Sequence, residues 1–380
     1  ETALIVASFG VGADLARATL SGEARKSVRL LWGHWQASVL ALLLVLLGAV
    51  SLLTVADPRH LAESVRELRL VVVEPVAALV LTRWSLRHDG GRLLVFGLLA
   101  TGAVVALVSG FQLVLGRGEV IGNGVRRATG PYPHPNNLAL YLERVGLFSG
   151  AIALAVPCLR RLALPVTVVI GLGLVATLSR GALLAILAGG GVALATVRPA
   201  QGWRRFGVAS LLIVIVFAAL AGDRLWATGT SGGTSTRELV WRSSLEMIRD
   251  HPVFGVGLDQ FLYQYAPRYV LPAGWPERYT SHPHNLVLDV WLRLGVAGLV
   301  VFAGLAVCCV RWIGRLRNSD DRSERWGLAV AGAALLAGGV AHGMVDNGFF
   351  LPDLAVLTWI AVALIEPSSH RRPQTSGSPP

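Results

Sequence analysis

Apolar residues run through the chain in long blocks, separated by short breaks of Arg, Pro or Gly, and the block length carries the information. A run of about 18 or more apolar residues can cross a bilayer as a helix. The blocks predict about ten spanning helices, at 38–56, 68–84, 92–115, 137–157, 162–178, 182–197, 206–222, 285–310, 326–344 and 351–366. Those at 182–197 and 351–366 are short for a full crossing and imply tilt, local thinning or burial within a bundle. The expected architecture is all-α: a polytopic transmembrane helical bundle with one large extracytoplasmic loop containing an amphipathic helix. Along the chain this gives an N-terminal stub and cytoplasmic segment (1–37), transmembrane helices (38–222), the loop (223–284), further transmembrane helices (285–366) and a disordered cytoplasmic tail (367–380).

Composition sharpens the picture. With 53% hydrophobic and 15% charged residues among 380, and a mean hydropathy of +0.59, there is too little polar surface to clothe a soluble globule. The formal charge of +11 is scattered in small clusters between apolar runs, not gathered into a stripe, which argues against nucleic acid. Cys158, Cys308 and Cys309 lie in or beside apolar segments without zinc spacing and read as packing residues. Residue 1 is Glu, and Thr2 to Val11 is too short to span, so the chain is expected to begin inside or after a spanning helix. Alternating the connections puts most of the 34 Lys and Arg on one side, among them Arg25, Lys26, Arg160, Arg161, Arg204, Arg205, Arg315 and Arg317. The positive-inside rule makes that side cytoplasmic, with both termini on it, and turns the long connection Asp223 to His284 outward.

A loop of roughly 60 residues among short connections is where function should concentrate. Gly229 to Thr234 forms a flexible lead-in; Ser235 and Glu238 have capping-box spacing, and His251-Pro252 closes the helix they open. Within it Trp241, Leu245 and Ile248 make one apolar stripe, while Arg237, Glu238, Arg242, Glu246 and Arg249 fill the rest of the circumference. Glu238–Arg242 and Arg242–Glu246 have the spacing of ordinary helix-surface ion pairs. Tyr263, Tyr265, Tyr269, Trp275 and Tyr279 follow, as suits either a membrane interface or a sugar-binding face.

The loop ends in Ser281-His282-Pro283-His284-Asn285, directly before a long apolar helix. The H-x-H pair lacks a clear third ligand beyond His251 and the more distant Asp289, so no metal and no cofactor is expected. An imidazole at a helix start can instead take a proton from a hydroxyl outside the membrane. Asn137 and Asp346-Asn347, near outward helix ends, can line the same cavity or simply cap helices. Glu74, Glu143 and Asp289 are ionisable groups within apolar spans, and a rival reading makes them the ion path of a multi-pass transporter. Glu143 and Arg144 are adjacent and point in different directions on a helix, which argues against a simple mutual pair. A scaffold binding partners through the loop is a third class.

The segment HNLVLDVWLRLGVAG, beginning at His284 and containing Gly295 and Gly298, has the pattern H-N-x9-G-x2-G, which resembles the hallmark of the O-antigen ligase family. TGPYPHPNNLALYL (129–142), TLSRGALLA (177–185), RELVW with IRDHPVFGVGLDQF (237–261) and AHGMVDNGFFLPDLAVLTWIAVALI (341–365) resemble other segments of that family in the same order. The resemblance spans residues 38–366, with fewer spanning helices than such proteins usually carry. It implies a glycosyltransferase of the GT-C type, working outside the cytoplasmic (inner) membrane on a glycan carried by undecaprenyl pyrophosphate. The acceptor is a hydroxyl on lipid A core for ligases, on another lipid-linked glycan for O-antigen or exopolysaccharide polymerases, and on protein for related transferases.

Within this resemblance His284 is the expected general base, removing the acceptor proton during inverting, metal-independent attack. Guanidinium suits the developing charge of a leaving pyrophosphate, which points to Arg180, at a sharp outward turn, to Arg237, at the start of the loop helix, and to Arg127 before Gly130-Pro131, where Arg126 competes. Arg242, Asn137, Asn285 and Asp346 complete the expected pyrophosphate- or glycan-binding set.

Overall fold

The computed structural model describes residues 35–88, 90–120, 126–197 and 233–367. The expected span 206–222, the stub and most of the tail lie outside the described residues. The rest is helical: α1 (Trp35–Ser51), α2 (Leu61–Glu67), α3 (Glu74–Arg87), α4 (Gly91–Val114), α5 (Pro135–Ala155), α6 (Arg160–Val175), α7 (Arg180–Val197), α8 (Gly233–Asp250), α9 (Phe261–Gln264), α10 (Leu286–Arg317), α11 (Glu324–Gly343) and α12 (Pro352–Ile365). A short antiparallel pair, β1 (Glu119–Val120) and β2 (Arg126–Arg127), is the sole sheet among the described residues. Seven helical segments are long and apolar enough to cross a membrane, against the ten expected over the whole chain; Pro352–Ile365 is apolar but shorter.

Sequence explains most departures from ideal helix. α2 and α3 run on through a π-helical turn at Leu68–Val73, because Pro75 lacks an N–H and its ring crowds the carbonyl four residues back. α5 and α11 are the most buried spans. α11 is rich in Ala and Gly, which lets α5, α7 and α12 approach closely where lipid gives no hydrophobic drive to helix association. Peripheral α4 instead exposes Leu93, Phe96, Leu107, Phe111 and Val114, a surface that only hydrocarbon satisfies.

The two ends of the bundle differ in chemistry. At one, Arg83 is buried against Glu366, Arg92 pairs with Glu324 at 3.0 Å, and Arg325 donates to the carbonyl of Leu364. The other gathers the turn before α7, the segment before α5, α8, the loop before α10 and the connection between α11 and α12.

α8 begins at Gly233, two residues before the expected cap, and ends at Asp250 as predicted. Its buried face is Val240, Ser243, Ser244, Met247 and Ile248, whereas Leu245 is 46% exposed, so the expected Trp241–Leu245–Ile248 stripe is rotated by about one residue. The serines explain the error. They count as polar in a pattern, yet they are small enough for a close seam, and the Ser244 hydroxyl donates to its own helix at Val240 O.

After α8 the chain docks into a break in α10. Gly295 has φ 68°, and a Cβ there would lie 2.0 Å from the Val253 carbonyl oxygen. That carbonyl accepts from Val296 N–H at 3.0 Å, while Leu292 O accepts from Val256 and Gly257 N–H. The carbonyls and amides freed by the break are thus satisfied by an inserted loop, the condition for irregular backbone at membrane depth. This splice fixes α8 relative to α10, and hence Arg237 relative to His284.

Gly295→Ala is expected to lower stability by about 1–3 kcal/mol or more, from the unfavourable φ and the backbone clash. Gly97→Ala on α4, where a side chain meets open space, is the control and should be neutral or better. Thermal-unfolding midpoints in detergent compare the two.

Candidate active site

Asp346 is the centre of the polar end. It lies between α11 and α12, is 3% exposed, and is surrounded by donors. Its Oδ1 accepts from His284 Nδ1 at 3.1 Å, His282 Nε2 at 3.4 Å and Asn347 N–H at 2.9 Å. Its Oδ2 accepts from Arg237 Nη2 at 3.0 Å and Asn136 Nδ2 at 3.2 Å. Burial would raise this carboxyl, but the hydrogen bonds from His282 and His284 outweigh it and hold Asp346 well below the usual carboxylate range.

An ionised carboxylate only accepts, so the His284 proton sits on Nδ1 and leaves a lone pair on Nε2, toward Thr280. Thr280 Oγ1 lies 3.2 Å from that Nε2 and 3.1 Å from the His282 carbonyl, so its single proton serves one acceptor at a time. The backbone is bent to present the ring: His284 has φ 52°, costly for a non-glycine residue. Asn285 then caps α10, its Oδ1 accepting from Val287 and Leu288 N–H while Nδ2 donates to Met344 O. Trp241 Nε1 reaches from α8 to donate to His284 O at 3.3 Å.

A second line of bonds ties in the turn before α7. Arg127 is buried, donating through Nε to Thr177 O at 2.7 Å and through Nη2 to Asn136 Oδ1 at 2.7 Å. Leu178 in that turn has φ 49°, and Arg180 follows as the first residue of α7. Arg180 is exposed and makes no hydrogen bond or ion pair among the described residues, leaving its guanidinium available to a ligand.

The sequence-predicted residues therefore divide. His284, Arg237, Asp346 and Arg127 converge, with Arg127 spent on protein partners. Asn285 acts as a cap beside them. Arg242 stays outside, 66% exposed in its side chain and paired with Glu238 at 2.6 Å, and Glu246 pairs with Arg249 in place of Arg242. Asn137 makes no side-chain bond to the cluster among the described residues; its neighbour Asn136 carries the contact. No sequence signal separates these two asparagines in the first turn of α5. His282, seen only as half of an H-x-H pair, belongs to the cluster, as does Thr280.

The expectation that no third ligand joins the H-x-H pair is corrected: His282, His284 and Asp346 offer ligand atoms within 4.8 Å of one another, a spacing able to hold a metal ion. The donor set fits a hydrogen-bonded imidazole–carboxylate pair better. Both Asp346 oxygens are already taken, and the Arg237 guanidinium stands where a cation would have to be tolerated. The carboxylates of the transporter reading are dispersed into separate pairs. Glu74 faces Arg69 at 3.5 Å, Asp289 binds Arg293 at 2.6 Å, and Glu143 meets His342 at 2.5 Å with Arg144 at 3.4 Å. Glu143 and Arg144 are thus in contact despite their adjacency, each with a further partner.

His282 titrates below its ordinary 6.5, because burial disfavours the imidazolium more than Asp346 favours it. Its depressed folded value means that the unfolded chain gains a proton near 6.5 that the folded protein refuses. Asp346, also depressed, adds a loss of stability at lower pH, where the unfolded carboxyl protonates near 3.8. Stability should therefore fall as pH drops from about 7 to about 5 and again below about 4. His282→Gln should remove the upper part of that fall in unfolding midpoints measured across pH.

Residues 165–303 match the sequence model of the family described as O-Antigen ligase, a stretch running from within α6, through Arg180, Arg237 and His284, to just beyond the break in α10. The chain is 27% identical over 139 residues to an O-antigen ligase of Pseudomonas aeruginosa, a match covering 36% of this chain and 31% of that protein. With the ordered motifs and the multi-pass helical fold, these matches support the O-antigen ligase family as the one this chain resembles, over a stretch that spans less than a third of that relative's length.

Proposed function

We propose that the protein is a membrane glycosyltransferase that moves a glycan from undecaprenyl pyrophosphate to an acceptor hydroxyl outside the cytoplasmic membrane, without a metal and with inversion. The observation that carries this reading is the His284 ring held by Asp346 on one nitrogen, its other nitrogen facing Thr280, with Arg237 on the same carboxylate. In the reaction the acceptor hydroxyl takes the place of Thr280 at Nε2. Its proton passes to His284 as the oxygen bonds to the anomeric carbon, and the bond from that carbon to the pyrophosphate oxygen breaks on the opposite face. Asp346 fixes the tautomer and stabilises the imidazolium that forms.

Arg180 and Arg237 meet the departing pyrophosphate. Arg180 is the exposed guanidinium at the turn, and Arg237 has donors beyond the one on Asp346. Arg127 positions the turn and Asn136 instead of touching the donor. Desolvation of the polar end by the loop strengthens each of these interactions in the transition state.

His284→Ala should lower transfer by about 10²–10⁴-fold, with the protein still folded and still binding lipid-linked donor. Asp346→Asn should approach the same loss by freeing the wrong tautomer. The assay is single-turnover transfer from defined undecaprenyl-pyrophosphate glycan; a rate unchanged in His284→Ala rejects the role. Arg180→Ala should weaken donor binding, and Arg180→Lys should restore it only in part because ammonium lacks the planar fork. Chelation should leave the rate intact; loss on chelation with recovery on adding a divalent cation would make the two histidines and Asp346 a metal centre.

A further inference from the structure

Beneath the site, in the middle of the bundle, lie three ionisable side chains that the reaction does not use. Glu143 and Arg144 on α5 and His342 on α11 are each about 1% exposed. Glu143 Oε2 accepts from His342 Nδ1 at 2.5 Å, and Arg144 Nη1 donates to Glu143 Oε1 at 3.4 Å and to Leu140 O at 2.6 Å. Both remaining directions lead to the active site. Arg144 Nη2 donates to Gly348 O at 2.8 Å, inside the turn that carries Asp346. The His342 ring packs on Gly181, the residue after Arg180, so tightly that a Cβ there would lie 2.0 Å from Nε2.

We propose that Glu143, Arg144 and His342 are positioning residues that hold the Asp346 turn and the Arg180 turn in register with each other. The role given to those two turns rests on the transferase reading above. Ionised groups are costly inside a bundle, and apolar residues of similar size would pack the three helices at least as well. What apolar residues cannot supply is a directional bond to the carbonyl of a particular turn. Within the Asp346 turn Asn347 N–H bonds Asp346 Oδ1, and Phe349 and Phe350 N–H bond Asn347 Oδ1; from outside, the site residues reach the Asp346 carboxylate and Asn285 reaches Met344 O, while Arg144 holds the far side at Gly348 O. The internal bonds fix the shape of the turn, and the external ones other than that of Arg144 come from loops and helix ends of the site, so Arg144 is the anchor from within the bundle. Arg144 supplies the location, Glu143 compensates its charge, and His342 extends the same rigid unit to the start of α7.

Two mild substitutions test this in the intact protein. In Gly339→Ala the new Cβ would sit 3.0 Å from Arg144 Nε, shifting the guanidinium while keeping every charge. Arg144→Lys keeps the charge but loses the fork. Hydrogen exchange read by mass spectrometry should show the 344–351 segment exchanging about tenfold faster in both variants, with α5, α11 and α12 unchanged. Transfer should fall in kcat with little change in donor KM, and the acidic limb of the pH–rate profile should move as Asp346 loosens its hold on His284. Unchanged exchange at 344–351 overturns the proposal, and so does a uniform rise through α5 and α11, which would mark a merely structural core. Faster exchange at 344–351 with unaltered transfer would leave the anchoring intact and overturn the catalytic reading of Asp346 instead.

Discussion

A carboxylate buried at the end of a helical bundle must be matched by donors or give up its charge, and the polar end of this protein is built around that requirement at Asp346. Its donors come from segments far apart in the chain: Asn136 at the start of α5, Arg237 on α8, His282 and His284 before α10, and the amide of Asn347. Each donor fixes one element relative to the same two oxygens. The site is therefore a meeting of loops and helix ends held by one anion, not a patch on one element.

The arrangement needs α8 to be held against α10, and ordinary helix packing does not provide this. α10 is broken at Gly295, and the segment after α8 fills the break with its own amides and carbonyls. Backbone irregularity at membrane depth is tolerated because it is satisfied on both strands of the splice. Positive φ at non-glycine residues occurs at His284, Leu178 and Asp259; the first presents the imidazole to Asp346 and the second turns the chain ahead of Arg180.

The distribution of charge through the bundle follows the same logic. The end opposite the site uses Arg83–Glu366 and Arg92–Glu324 to close helix ends on one another. The interior carries Glu143 in contact with both Arg144 and His342. At the start of α7, Arg180 is exposed and without a bond among the described residues, unlike these paired charges.

Sequence by itself determined the helical, membrane-spanning class, because bilayer thickness sets a length that apolar blocks either reach or miss. It also determined the loop helix and made His284 and a set of arginines candidates, since those rest on local spacing and residue chemistry. Only tertiary structure decided which of them come together. Neighbouring positions such as Asn136 and Asn137, or Arg126 and Arg127, are chemically identical in the sequence and differ only in which way a helix turn or hairpin points them. The buried face of α8 departs from its apolar pattern because Ser243 and Ser244 count as polar in a pattern while their size lets them line a seam. The partnership of His282 and His284 with Asp346, more than 60 positions away, has no periodic signature at all. Local spacing encodes elements, whereas a shared carboxylate is a long-range contact that exists only once the chain has folded.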